Sequence, residues 1–304
     1  MIVGRTTACS PQSGGECALQ MYRDAMVEEI RDITVGGQQL RIAHRAGEGR
    51  PLLVCNGIGA SLELLTPFVE ALDPQIPVIR FDVPGAGHSP LPTGPYRFFT
   101  LANLVRKLVE RLGYSEFDVL GISWGGMFAQ QIAYQFPTRC RRLVAVSTGT
   151  GFTMVPGRPR VLRIMSSPRR HRDPQYAVKV APVIYGGRFR DDPKSAFELL
   201  GDNSPPPTRG YRYQLGAITG WTSLPFLRLI RQPTLVVAGS DDPIVPLANA
   251  RVLTALIPNS RMHVFDDGHM GLVTSAPDVA PVIASFLRDG SLDTAGDFRH
   301  VRET

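Results

Sequence analysis

A chain of 304 residues, 43% hydrophobic and 20% charged, has the composition of a globular protein that buries a full core in one large α/β domain or two smaller ones, and not that of a disordered chain. Its formal charge of +6 comes without zinc-finger spacing, an RNA-binding aromatic motif or a basic heptad, which argues against nucleic acid as a partner. Cys9, Cys17, Cys55 and Cys140 are too scattered for a zinc site or a disulfide-stapled secreted domain, and neither a signal segment nor an apolar span of ~20 residues is present, so a cytoplasmic protein without a transmembrane segment is expected.

Residues 1–25, polar and rich in Gly, Ser and Thr, read as a loose extension. From Glu28 onward, short β-rich runs alternate with amphipathic stretches, the pattern of a mostly parallel sheet flanked by helices. Strands are expected at Ile30–Thr34 and Leu40–His44, joined across Gly36-Gly37, and then at Leu52–Cys55, Val78–Phe81, Phe117–Ile122, Arg142–Val146, Thr234–Ala238 and Arg261–Phe265. Leu101, Leu104, Val105, Leu108, Val109 and Leu112 recur at helical spacing and predict a helix packed on the sheet. Further helices are expected at Leu62–Leu72, Gly125–Gln135, Ala248–Leu256 and Pro277–Leu287. Between Gly151 and about Leu227 the rhythm stops and prolines multiply; a structureless loop of that length is improbable, so a mainly helical lid at residues 151–227 is expected. The core is then made of residues 26–150 and 228–290, followed by a polar tail at 291–304.

Gly121-Ile122-Ser123-Trp124-Gly125 matches G-x-S-x-G and lies between an expected strand and an expected helix, where a tight turn presents the serine hydroxyl to a cleft. Serine needs a base to take its proton, and the base needs an acid to orient it. His269, in Asp266-Asp267-Gly268-His269, follows a strand and stands last in the Ser, acid, His order. His263 lies inside that strand, His44 in an early strand, His171 in the lid and His300 in the tail; His88 precedes the serine and breaks the order. Asp241 and Asp242 both end a strand. Asp242, directly before Pro243, is taken as the acid and Asp241 as a neighbour free to bond backbone amides. The oxyanion that forms on acyl transfer needs donors, expected from the backbone N–H of Trp124 and of Ile58 in Asn56-Gly57-Ile58-Gly59. These features in this order predict an α/β-hydrolase fold and a serine hydrolase needing no metal or organic cofactor. Ser123 excludes the dehalogenase and epoxide-hydrolase branch, which needs a carboxylate there.

The sequence from about Glu28 to Leu287 resembles the intracellular medium-chain-length polyhydroxyalkanoate depolymerases. The likeness rests on Asn56-Gly57-Ile58-Gly59-Ala60, Phe81-Asp82-Val83-Pro84-Gly85, Pro95-Tyr96-Arg97-Phe98 and Gly121 through Gly126. It also takes in Ala181-Pro182-Val183-Ile184-Tyr185-Gly186-Gly187, Gly220-Trp221-Thr222-Ser223, Gln232-Pro233-Thr234-Leu235 and Asp266 through His269. The lid segments discriminate most, since the other motifs recur throughout the superfamily. The resemblance implies a Ser123, Asp242, His269 triad that cleaves stored polyester to 3-hydroxy acids or oligomers, with a polyester granule as partner and storage-granule association in the cell. The extension before Glu28 and Met270 depart from the pattern. Phe152, Met154, Val155, Leu162, Ile164, Met165, Val183, Ile184, Tyr185, Trp221 and Phe226 are candidates to line an acyl channel or to form the lid's own core. Ten Arg or Lys between Arg158 and Lys194, against three Asp, form either a surface for granule-coat proteins or an ordinary solvated face. The rivals are a general carboxylesterase or lactonase acting on small soluble esters, and a non-catalytic binder at the granule surface.

Overall fold

The computed structural model describes residues 28–165, 169, 173–195 and 208–289. The expected extension and tail, and parts of the 151–227 segment, lie outside the described residues. Eight strands form one sheet: β1 (Glu29–Val35), β2 (Gln38–Arg45), β3 (Leu52–Cys55), β4 (Val78–Phe81), β5 (Phe117–Ile122), β6 (Cys140–Val146), β7 (Thr234–Gly239) and β8 (Ser260–Phe265). Their order is β1-β2-β4-β3-β5-β6-β7-β8; β2 pairs antiparallel with β1 and β4, and all other pairings are parallel. The α/β-hydrolase architecture expected from the sequence is therefore present.

The parallel strands read as unbroken apolar runs because both faces are covered. Period-two alternation divides them. Leu52, Val54, Leu120, Ile122, Val144, Val146, Leu235 and Val237 face one core with helices α1 (Thr66–Ala71) and α9 (Ala276–Asp289). Leu53, Cys55, Val119, Leu143, Val236 and Ala238 face the other, with α2 (Phe98–Arg111), α3 (Trp124–Gln135) and α7 (Ala248–Leu256).

Between β6 and β7 the chain forms α4 (Pro159–Met165), α5 (Pro174–Ile184), a 3-10 turn at Gly187–Arg190, α6 (Thr208–Ile218) and a second 3-10 turn at Leu224–Leu229. An isolated bridge between Gly151 and Thr222, with Phe152 N–H donating to Trp221 O at 2.9 Å, brings the two ends of this segment together. A short α8 (Gly271–Thr274) precedes α9. Because β3 pairs with β4 on one side and β5 on the other, successive connections leave it in opposite directions, and such a switch point is where an open α/β sheet places its crevice, beyond the C-terminal ends of β3 and β5.

Candidate active site

Ser123 stands at that crevice, between β5 and α3, with φ 56 and ψ −118, a conformation an L-residue holds only when its surroundings impose it. They do so here. Its N–H donates to Val146 O at 2.9 Å, while its carbonyl accepts from Gly126 N–H at 3.0 Å and from the Thr148 hydroxyl at 2.7 Å. A Cβ on Gly121 would lie 2.0 Å from Gly125 O, and one on Gly125 would lie 2.1 Å from Cys55 O, so the flanking glycines let three backbone segments close on the turn. Ser123 is half-buried, and its hydroxyl makes no hydrogen bond among the described residues.

The loop after β3 faces the serine: a Cβ on Gly57 would stand 4.0 Å from the Ser123 Cβ. Within that loop Gly57 N–H donates to Asn56 Oδ1 at 2.8 Å, Gly59 N–H to Gln214 Oε1 at 2.9 Å, and Ala60 N–H to Gly57 O at 3.3 Å. Of Gly57, Ile58, Gly59 and Ala60, Ile58 is thus the residue whose N–H has no acceptor among the described residues. The Trp124 N–H, in the first turn of α3, has no intrahelical acceptor either. Both expected oxyanion donors belong to turns that flank Ser123.

Asp242 and His269 meet beyond β7 and β8, both buried. Asp242 Oδ2 lies 2.8 Å from His269 Nδ1, and Asp242 Oδ1 accepts from the N–H groups of Ile244 and Val245, each at 2.9 Å. One carboxylate oxygen is fixed by the backbone, so the other is aimed at the imidazole. Nδ1 is occupied in this way, which leaves Nε2 as the ring nitrogen available to a hydroxyl. Asp241 turns elsewhere: it accepts from Gly187 N–H at 2.9 Å and is paired with Arg190, whose guanidinium holds its carboxyl below the usual range. No hydrogen bond joins Ser123 to His269. In a free enzyme that contact is often long and tightens when substrate binds.

His44, His88 and His263 stand apart from this pair, while His171 and His300 lie outside the described residues. His88 Nδ1 lies 3.0 Å from Arg41 Nη1, and His44 packs edge-on against Tyr114; His263 sits half-buried within β8, where burial lowers its pKa. Met270 is buried in the core shared by α1 and α9, and its carbonyl accepts from Val273 N–H at 2.8 Å to start α8.

Three features around the site have contacts that the sequence alone does not disclose. Asp267, two residues before His269, accepts from Arg188 N–H at 2.9 Å, Gly268 N–H at 2.6 Å, and the Thr274 and Ser275 hydroxyls at 2.6 Å each. Burial pushes its carboxyl up, but those donors win and hold it below the ordinary range. The second feature is the Tyr185–Arg188 turn, since His269 N–H also donates to Tyr185 O at 2.7 Å. The third is Gln214, separated from Gly59 by 155 positions, which no local pattern could have joined to it. Among the described residues no His, Cys, Asp or Glu cluster suits a metal, and no helix is long and apolar enough to cross a membrane.

Residues 50–276 match the sequence pattern of the alpha/beta hydrolase fold family. A poly(3-hydroxyalkanoate) depolymerase of Ectopseudomonas oleovorans is 49% identical over 261 residues, 85% of this chain and 92% of that protein. A 3-oxoadipate enol-lactonase of Acinetobacter baylyi is 26% identical over 227 residues, 74% of this chain and 84% of that one. Among solved structures, the enol-lactonase of Burkholderia xenovorans superposes with a TM-score of 0.72 at 24% identity, covering 84% of this chain and 99% of that one. A thermophilic esterase of Thermogutta terrifontis gives 0.71 at 23% identity, covering 86% and 98%. The last two likenesses concern the fold alone. The chain therefore belongs to the alpha/beta hydrolase family, on the branch that holds the poly(3-hydroxyalkanoate) depolymerase, and it is a hydrolase.

Proposed function

We propose that this protein is a serine esterase that depolymerises intracellular medium-chain-length polyhydroxyalkanoate, with Ser123 as nucleophile, His269 as base and Asp242 as the acid that orients it. The observation that carries this reading is the buried Asp242–His269 pair at 2.8 Å on the same sheet edge as the strained Ser123 turn, combined with 49% identity to a depolymerase. His269 Nε2 takes the Ser123 proton as Oγ attacks the ester carbonyl, and the carbonyl electron pair moves to oxygen opposite the Ile58 and Trp124 N–H groups. Collapse of the tetrahedral species breaks the ester bond, the imidazolium protonates the leaving alkoxide, and an acyl-enzyme remains. Water, deprotonated by the same histidine, then attacks that acyl group and frees a 3-hydroxy acid or oligomer together with the serine.

In this reading residues 151–227 act as a lid over an acyl channel, and the core comprises 26–150 and 228–290. Support for a surface that meets an apolar polymer comes from Phe152, 80% exposed at the base of the segment, with Val155, Leu162 and Leu224 also exposed. Ile184 and Tyr185 are instead buried in the core and are assigned to packing. A lactonase or small-ester esterase is the second reading, favoured by the enol-lactonase likeness over 74% of the chain.

The test is turnover of p-nitrophenyl octanoate and of medium-chain polyester granules by the wild type and Ser123→Ala. The proposal expects the variant to be folded and inactive on both. Unchanged turnover by the variant rejects the nucleophile, and a wild type active on soluble esters alone favours the second reading.

A further inference from the structure

Gln214 lies on α6, is fully buried, and touches both sides of the candidate oxyanion site. Its Oε1 accepts from Gly59 N–H at 2.9 Å, one residue beyond Ile58, and its main-chain oxygen accepts from the indole Nε1–H of Trp124 at 2.9 Å. One residue of the inserted segment is thus bonded to each of the two turns that carry the open amides.

Packing alone does not account for a glutamine here. Its Nε2 is buried without a hydrogen-bond partner among the described residues, and an unpaired buried donor is destabilising, so an apolar side chain of the same volume would suit the space better. What the glutamine supplies is an acceptor for Gly59. The loop needs one: Ile58 has glycine on either side, so few steric barriers define the direction in which its N–H points. Fixing the Gly59 amide fixes the peptide plane next to that N–H. Helix α6 is itself held to the sheet domain at both ends. Arg97 donates to Gly216 O at 2.7 Å and to Thr219 O at 2.9 Å, and Gly210 sits so close to Gly85 that a Cβ on it would fall 1.7 Å from Gly85 O.

We propose that Gln214 is a positioning residue for acyl transfer: from the inserted segment it sets the direction of the Ile58 N–H and the seat of Trp124, so that the oxyanion hole is complete only while α6 is docked. This rests on the serine-esterase reading above. Preorganised donors act on the transition state far more than on bound substrate, so the residue is expected to influence kcat and not KM.

The experiment uses the full-length protein and Gln214→Met, which keeps the volume and removes the acceptor. Active sites are titrated with a fluorophosphonate. kcat and KM are then measured on p-nitrophenyl octanoate, with the inhibition constant of an alkyl trifluoromethyl ketone that forms a tetrahedral adduct. The proposal expects kcat per titrated site to fall by about 10- to 100-fold, KM to stay within about twofold, and ketone inhibition to weaken by the same factor as kcat. A purely structural residue would lower the active fraction or Tm and leave kcat per site and ketone inhibition at wild-type values, which overturns the proposal. Should Gln214→Met not fold, Trp124→Phe removes the indole bond while keeping an aromatic ring against Phe98 and Phe128, and wild-type values in that variant also overturn it. A wild type that the fluorophosphonate does not label overturns the serine reading and this proposal together; a labelled wild type with an unaffected variant overturns this proposal alone.

Discussion

Two adjacent aspartates lie in the loop after β7, and hydrogen bonds send them in different directions. Asp242 Oδ1 is held by the amides of Ile244 and Val245, so Oδ2 has one direction left, toward His269 Nδ1. Asp241 points away to Gly187 and Arg190 and is half-exposed. Asp242→Asn is therefore expected to leave the protein folded and to lower kcat by about 10⁴-fold, because an amide in that place favours the wrong imidazole tautomer. Asp241→Asn is expected to keep kcat within about tenfold and to cost about 1 kcal/mol of stability, a charged hydrogen bond discounted for its exposure. Esterase kinetics and urea melts of the two variants check both. Choosing Asp242 needed only the strand, the Asp-Asp-Pro turn and the order of the triad. The role of Asp267 was not legible, because its four donors come from Arg188, Gly268, Thr274 and Ser275, the first of them 79 positions away in sequence.

Among elements, the turn from Tyr185 to Arg190 braces the loops that carry Asp242 and His269 simultaneously. Gly187 donates to Asp241, Arg188 N–H donates to Asp267, and Tyr185 O accepts from His269 N–H. Gly187 has φ +50, and a Cβ there would meet Asp267 Oδ1 at 1.9 Å, whereas Gly220, at φ +72, has nothing within 4 Å. Gly187→Ala should therefore lower both Tm and kcat, while Gly220→Ala should carry only backbone strain of about 1–2 kcal/mol and keep kcat. Thermal melts paired with esterase rates distinguish these outcomes.

The same scale shows what the sequence could and could not disclose. Strands β3, β4 and β5 were read to the residue because they are buried throughout and bounded by Pro or Gly turns. The expected helix at Leu62–Leu72 divides into a 3-10 turn at Leu62–Leu65 and α1 from Thr66, because Pro67 has no N–H to continue an earlier helix and fits only a first turn. Helix α8, four residues long, is too short to show a period. Tyr185-Gly186-Gly187 stood out in the sequence as a motif, but its partners lie on two other loops, so its purpose emerges only in three dimensions.

For the molecule as a whole, acid stability follows from its buried and paired groups. Arg41 holds the Glu63 carboxyl down at about 2 despite burial that pushes it up, and Asp241 and Asp267 are also depressed. A carboxyl depressed in the folded state adds stability that is fully present above its unfolded pKa of about 4 and is lost as pH falls through its folded value. His44 and His263, lowered by burial, add a shallower loss that starts below about pH 6.5. Asp82 and Asp118, raised by burial, oppose the carboxylate trend, so a difference between variants is the clean readout. Glu63→Gln is expected to reduce the loss of urea midpoint between about pH 4 and about pH 2 relative to wild type. Equal slopes for both proteins would contradict the assignment. The exposed Phe152 makes a second expectation at this scale: Phe152→Ser should slow granule hydrolysis and leave soluble-ester turnover unchanged, checked by running both assays on one preparation.

The most direct measurement of the central claim is mass spectrometry of the protein after reaction with a fluorophosphonate. One adduct is expected, on the peptide containing Ser123; it should be absent from Ser123→Ala and form much more slowly in His269→Ala. An adduct that persists in Ser123→Ala, or a hydrolytically active wild type that takes up no label, would contradict the account.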